Sequence, residues 1–276
     1  MTFNPDIRIF QIFYDENSEA SLDRGFIPLD NKSNGRPDWK EYQPMRKYLL
    51  EHSLDHNAYY GFLSPRFNYK TGLTSTDVID FVQANAHADV VLFSPAFDQS
   101  AFFRNVFEQG EIFHPGLIQT SRSFLADISI NIDLNTLVTD STLTVFCNYF
   151  VAKPDFWKKW LEIGEMLYHY CEIRTSITCE LNKPTGHRGE NNVDFKVFLM
   201  ERLATLLLAM NDGFTVIAYD PFKLPAALPS LSGFQQQAII CDALKIAYRR
   251  HNNPVYIDTF YALRRQVFES MPKHKR

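Results

Sequence analysis

Two Ser–Pro pairs mark the first places in this chain where chemistry could concentrate. Each closes an apolar, aromatic run, in Phe62–Leu63–Ser64–Pro65–Arg66 and in Leu92–Phe93–Ser94–Pro95. Hydroxyls, backbone amides and the Arg66 guanidinium at such strand ends can hold a phosphate by charge-assisted hydrogen bonds. The same turns can equally end strands with nothing bound. Asp98 stands shortly after Ser94. Its carboxylate suits a hard cation bridging a diphosphate, or, near Ser100, it simply caps a helix. His114 lies in the run Gly110–Glu111–Ile112–Phe113–His114–Pro115–Gly116. Its imidazole can donate to a diphosphate, sit over a sugar ring, or be an ordinary hydrogen-bonded loop side chain. Glu201–Arg202 interrupts the apolar stretch Val193–Met210. A carboxylate there is costly unless paired or used, which leaves a buried ion pair or a general base of raised pKa. Asn148, between Cys147 and Tyr149, is a further polar break in an apolar run.

Several chemistries are excluded. The chain has no G-x-x-x-x-G-K-[ST] and no G-x-G-x-x-G, so neither a P-loop enzyme nor a Rossmann-type dehydrogenase is supported. It lacks G-x-S-x-G and H-E-x-x-H, the marks of α/β-hydrolases and zincins. Cys147, Cys171, Cys179 and Cys241 form no C-x-x-C pair and read as buried or idle thiols of a reducing compartment. A net charge of −4 argues against a dedicated nucleic-acid binder. The 276 residues are 45% hydrophobic and 22% charged, ample for one large core. With 24 Phe and 13 Tyr against 11 Gly, rings are available for both core and ligand pockets.

The elements that must position these residues alternate. A β-branched and aromatic strand, Ile7–Tyr14, runs into the polar Asp15–Ser18. A loop with Pro28, Asn31, Asn34, Gly35 and Pro37 precedes an amphipathic helix over Trp39–His52. The strand Ala58–Leu63, the helix Asp77–Asn85 capped by Thr74, Ser75 or Thr76, and the strand Ala88–Phe93 follow. Such alternation is the mark of an α/β sheet. The pattern then turns helical through Phe102, Phe103, Val106 and Phe107. A strand over Leu143–Val151 leads into a helix from Pro154 to Glu172, with Pro in its first turn. A loop at Asn182–Asn192, a helix over Val193–Asn211 and a strand over Phe214–Tyr219 come next. Beyond the Pro-rich Pro221–Pro229, two helices are expected, over Gln235–His251 and Asp258–Ser270. Met1–Asp6 shows no secretory leader, and no apolar stretch approaches the ~20 residues of a bilayer span, so a soluble, cytoplasmic chain is expected. The basic end, Met271–Arg276, either frays in solvent or touches an anionic membrane face.

The order of segments resembles the GT-A type glycosyltransferases of bacterial surface-polysaccharide (O-antigen and capsule) biosynthesis, in particular small forms without the usual Asp-x-Asp motif. The resemblance is carried by Ile7–Tyr14, Phe26–Asn31, Glu41–Leu49, Tyr59–Phe67, the strand-then-helix from Val145 to Lys153, and Met200–Glu201–Arg202–Leu203. It implies an α/β, GT-A-like, Rossmann-type domain over residues 1–220. Its central sheet would be mixed and mostly parallel, flanked by helices, with a C-terminal helical extension over 221–276 packed on it.

The resemblance further implies transfer of a sugar from a nucleotide-sugar donor, a UDP-sugar foremost, to a glycan or lipid-linked glycan acceptor. Gln11, Phe13, Tyr14 and Asp15 would bracket the donor's nucleotide. Ser64, Arg66, Ser94, Asp98 and His114 would face its diphosphate, and Asn148 and Glu111 the acceptor. Glu201, and after it Asp155, would deprotonate the acceptor hydroxyl. Where the family carries Asp-x-Asp, this chain has Phe93–Ser94–Pro95–Ala96–Phe97–Asp98. Either Asp98 alone holds Mn²⁺ or Mg²⁺, or Arg, Lys and His offset the diphosphate without metal. The alternatives are a non-catalytic nucleotide- or sugar-binding module and a scaffold of the same pathway. For the scaffold the cue is a basic helical edge, Lys245, Arg249, Arg250, Arg264 and Arg265, which would dock other polysaccharide enzymes or anionic lipid, or would simply be solvated.

Overall fold

β-Branched and aromatic side chains place the first strand, β1, at Asp6–Phe13. After it come α1 (Glu16–Ala20), β2 (Ile27–Asp30), α2 (Tyr42–Glu51), β3 (Ala58–Leu63), α3 (Phe67–Thr71), α4 (Ser75–Ala84) and β4 (Val90–Leu92). The middle of the chain forms α5 (Phe97–Phe102), α6 (Val106–Phe113), α7 (Leu117–Asp127), β5 (Phe150–Ala152), α8 (Pro154–Glu172), β6 (Pro184–His187) and β7 (Glu190–Asp194). The last part forms α9 (Phe195–Met200), α10 (Leu203–Met210), β8 (Val216–Ala218), α11 (Gln235–His251) and α12 (Pro254–Ser270). The computed structural model describes residues 5–175, 177–187, 190–210 and 213–271. Most of the basic C-terminal tail, 272–276, lies outside them.

Six strands form one mixed, mostly parallel sheet in the order β2–β1–β3–β5–β4–β8. Only β5 is reversed, antiparallel to both β3 and β4. The carboxyl ends of the other five strands therefore line one edge. At that edge β5 begins, with Phe150 beside Leu92, and it ends at the opposite edge, with Ala152 beside Tyr60 and Val90. Alternate residues feed the two faces. Phe10, Ile12, Tyr60, Phe62, Val90 and Leu92 pack under Trp39, Met45, Trp157 and Trp160, while Ile9, Tyr59, Leu63, Val91 and Phe93 pack against Phe67, Val78 and Val82. Trp157 is fully buried and donates its indole N–H to the Tyr60 carbonyl at 2.9 Å, as a buried indole must find an acceptor. The result is a single α/β domain with helices on both faces.

Several elements depart from the sequence expectations. The strand over Leu143–Val151 shrinks to Phe150–Ala152. Cys147 and Asn148 take positive φ of 60° and 54°, and the Val145 amide bonds the Thr205 hydroxyl instead of a strand neighbour. Pro28 sits inside β2 rather than a loop, tolerated because β2 is the sheet's outer strand. The loop at 182–192 contains the β6–β7 hairpin. The helix over Val193–Asn211 begins only at Phe195 and breaks at Glu201–Arg202 into α9 and α10; Asn211 lies outside the described residues.

The two terminal helices pack on the domain through Ala101 and Phe102 of α5 against Ala238, Cys241, Phe260 and Val267. The second starts at Pro254, earlier than Asp258, because Asn253 accepts the Val255 amide as its cap. The expected basic edge is turned inward at Lys245 and Arg264 only. Lys245 is fully buried and donates to the carbonyls of Ser100, Phe103 and Thr139; burial pushes its pKa down to about 8. Arg264 pairs with Glu108 at 2.7 Å, whereas Arg249, paired with Asp140 at 2.6 Å, stays exposed together with Arg250 and Arg265. Among the described residues no helix is long and apolar enough to cross a membrane.

Candidate functional site at the carboxyl edge of the sheet

The site is assembled strand by strand. At the end of β3 the Ser64 hydroxyl meets the Tyr149 hydroxyl at 2.6 Å. Arg66 is exposed, its guanidinium 5.3 Å from the Tyr69 ring centre. One helical turn on, the Lys70 amide bonds the Arg66 carbonyl at 2.9 Å. The Lys70 ammonium lies 3.1 Å from the Cys147 sulfur and 5.7 Å from the Tyr149 ring centre. At the end of β4 the Ser94 hydroxyl accepts the Phe146 amide at 2.8 Å, pinning the start of the Cys147–Tyr149 turn to the edge. The left-handed backbone at Cys147 and Asn148 re-aims both side chains just before β5 begins. The Asn148 side-chain amide oxygen is buried with no hydrogen-bond donor among the described residues.

Two carboxylates complete the group. The charges of Glu201, half-buried at the α9–α10 break, and of Glu41, at the start of α2, act on this turn. Burial raises the Cys147 thiol above its ordinary value; Lys70 pulls it down, while Glu201 and Glu41 add to the rise. Burial likewise raises the Tyr149 phenol, with Cys147, Glu41 and Glu201 adding to it and the Ser64 bond opposing it. Beside β4 and β8, a small pocket is lined by the hydroxyl-bearing Ser94, Ser100, Ser141, Thr144 and Tyr219. Carboxylates, an ammonium, a guanidinium and hydroxyls thus meet where open α/β sheets receive ligands.

Other residues singled out by sequence serve the scaffold. Gln11 is fully buried; it donates to Asn68 at 3.0 Å and accepts the Asp23 amide at 2.9 Å. Phe13 is buried, whereas Tyr14 stays half-exposed at the strand end. Asp15 caps α1 by accepting from the Ser18 hydroxyl and amide, which lowers its pKa. Asp98 is not open to a ligand, because its buried oxygens accept the amides of Ala227 and Leu228 at 2.9 and 2.7 Å. Glu111 accepts the amides of Gly116 and Ile118, both at 2.7 Å, at the start of α7. His114 is buried in helix packing, its ring stacked on Phe198 with centres 3.6 Å apart.

Asp155 is exposed in the first turn of α8, at the amino edge, because reversed β5 delivers the chain there. Sheet direction therefore separates it from Glu201. The buried Glu201–Arg202 ion pair is also not what forms. Arg202 donates to the carbonyls of Val106 and Phe198 at 2.8 and 2.7 Å and to Gln109 at 3.1 Å. Its burial lowers its pKa to about 10, with Glu201 opposing.

The implied metal meets the wrong donor set. Among the described residues no three His, Cys, Asp or Glu side chains gather to hold an ion, and Asp98 is engaged by backbone amides. Sequence reasoning missed Glu41, Lys70 and the placement of Cys147 and Tyr149 at this edge. The available signal for Lys70 was its position one helical turn after Arg66 behind a Ser–Pro strand end; Glu41 carried none. No protein-family model, curated protein or solved structure matches this chain.

Proposed function

We propose that the chain is a glycosyltransferase that moves a sugar from a nucleotide-sugar donor, a UDP-sugar foremost, to a glycan or lipid-linked glycan acceptor of cell-surface polysaccharide synthesis. The observation that carries this reading is the polar group at the carboxyl edge, where the Lys70 ammonium reaches the Cys147 sulfur and Ser64 meets Tyr149, with the charges of Glu201 and Glu41 acting on the same turn. The mixed, mostly parallel sheet with flanking helices is the architecture the GT-A resemblance implies. In the transfer, the acceptor oxygen bonds the sugar's anomeric carbon as the bond to the diphosphate oxygen breaks. The leaving nucleoside diphosphate keeps the electron pair, and the acceptor proton passes to Glu201. Glu41 accepts hydrogen bonds from sugar hydroxyls, and the Asn148 amide, whose oxygen lacks a donor, receives one more. Tyr14 borders the nucleotide. Peripheral contact with the cytoplasmic membrane, where a lipid-linked acceptor would reside, belongs to the same proposal.

The test is release of free nucleotide from UDP-, GDP-, CMP- and TDP-sugars by the full chain, compared with Glu201→Gln. Release from one nucleotide family, lost in the variant, supports the transferase. Binding of a donor with no release supports the non-catalytic binding module, the reading favoured by the engagement of Asp98 in scaffold bonds.

A further inference from the structure

Lys70 stands apart from the other cations of this protein. Among the described residues, the other buried or half-buried lysines and arginines donate to an oxygen: a carboxylate, a hydroxyl or a backbone carbonyl. Lys70 is half-buried, and its hydrogen-bond acceptor is the Cys147 sulfur at 3.1 Å. A thiol is a weak acceptor, whereas an ammonium is a strongly hydrated point charge with three donors. Donor capacity is therefore left unused at the edge where ligands enter. Arg66 stands one turn earlier on the same short helix, exposed and stacked on Tyr69. The Ser64–Tyr149 hydroxyl pair is close by, with the Lys70 ammonium 5.7 Å from the Tyr149 ring centre.

We infer that Lys70, together with Arg66, binds the diphosphate of a nucleotide and takes the place of the divalent cation that the GT-A resemblance implies. The inference deepens the transferase reading and rests on it for the identity of the full ligand. An ammonium and a guanidinium carry the same total charge as Mg²⁺ or Mn²⁺. Lys70 meets the diphosphate as a compact charge, and Arg66 as a planar fork suited to two phosphate oxygens. When the sugar–oxygen bond breaks, the electron pair stays on the diphosphate oxygen, and these two cations face the added charge. No proton is required from either. Binding asks of Lys70 only that its flexible side chain exchange sulfur for phosphate oxygen.

The experiment is isothermal titration of the full chain with inorganic pyrophosphate and with UDP, in EDTA and again with Mn²⁺. Both probes are expected to bind in EDTA, with little change on adding Mn²⁺. Lys70→Gln is expected to weaken both by about tenfold to a hundredfold, the range of a lost charge-assisted bond. Lys70→Arg should restore most of the affinity, and Arg66→Gln should cost less than Lys70→Gln because Arg66 is solvated. Melting temperatures matching the wild type establish that the variants fold. Failure of both probes to bind in EDTA, a requirement for Mn²⁺, or wild-type affinity in Lys70→Gln each overturns the inference. Loss of pyrophosphate binding in Lys70→Gln, with no donor turned over by the wild type, leaves this site standing and the transferase reading fallen. Donor turnover with Lys70→Gln unaffected does the reverse.

Discussion

Replacing Arg202 by methionine keeps most of the volume and removes the cation that holds the α9–α10 break. The guanidinium bonds the Val106 and Phe198 carbonyls and the Gln109 side-chain oxygen, all in a buried setting. Swapping a buried ion pair for apolar groups can be neutral, because both charges leave together. Here two of the acceptors are backbone carbonyls, which no single substitution removes. Each unsatisfied buried acceptor costs about 1–3 kcal/mol, offset in part by no longer burying a charge. The net expectation is a loss of roughly 3–5 kcal/mol, near the upper end for single substitutions. At about 2–3 °C per kcal/mol for a chain of this size, the melting temperature should fall by roughly 6–15 °C. A coupled substitution sharpens the test. A Cβ at Gly110 would lie 2.4 Å from the Arg202 terminal nitrogen and 2.7 Å from its guanidinium carbon. Gly110→Ala should therefore destabilise the wild type, and in the Arg202→Met background its cost should shrink by about 1 kcal/mol or more. A loss below about 1 kcal/mol for Arg202→Met, or strict additivity of the pair, would refute the bonding scheme.

Three further outcomes follow from the same geometry. Asp98→Ala should accelerate amide exchange at Ala227 and Leu228 and cost about 1–3 kcal/mol, while pyrophosphate binding stays at wild-type affinity; weakened binding would return Asp98 to the ligand site. Asp155→Ala should leave turnover within about twofold, since it removes only a first-turn carboxylate worth about 0.3–1 kcal/mol; a much larger loss would contradict its place at the amino edge. Burial favours a protonated Asp38, but hydrogen bonds from Arg36 and Lys196 win and hold its pKa down to about 2. Its folded value is depressed, so the stabilisation is complete above about pH 4 and drains away as pH falls towards 2. With the side chain 35% exposed, solvent screening reduces this to about 1 kcal/mol. Acid titration of stability should accordingly be shallower in Asp38→Asn, and an unchanged slope would refute the assignment.

What sequence alone could reveal depended on whether a local signal set the outcome. β1, β3 and β4 are runs of β-branched and aromatic residues closed by polar or Ser–Pro turns, and periodicity placed α2, α4 and α8. The break at Glu201–Arg202 was not legible, since the sequence read as one helix over Val193–Asn211, while the fold ends α9 at Met200 and turns the Arg202 guanidinium to the Val106 carbonyl of α6. Strand direction was not legible. β5 has three residues, and its reversal is decided by the long connection from Phe93 to Tyr149, so Asp155 looked close to the site while lying across the sheet. Left-handed Cys147 and Asn148 were hidden too, since neither is the glycine that normally announces positive φ. Asp98 and Glu111 are typical ligand residues in type, but backbone amides distant or local in sequence claimed them first. For Lys70 the sequence carried only its spacing from Arg66, and its sulfur partner came from the fold.

Steady-state release of nucleotide by the full chain and by Glu201→Gln, across the four donor families, tests the central claim most directly. The account predicts release from one family by the wild type and a fall in kcat of about 10²–10⁴ in the variant, the usual worth of a general base. UDP affinity and melting temperature should be unchanged. Wild-type turnover by Glu201→Gln would contradict the role assigned to this carboxylate, and absence of release from every donor would contradict the transferase itself.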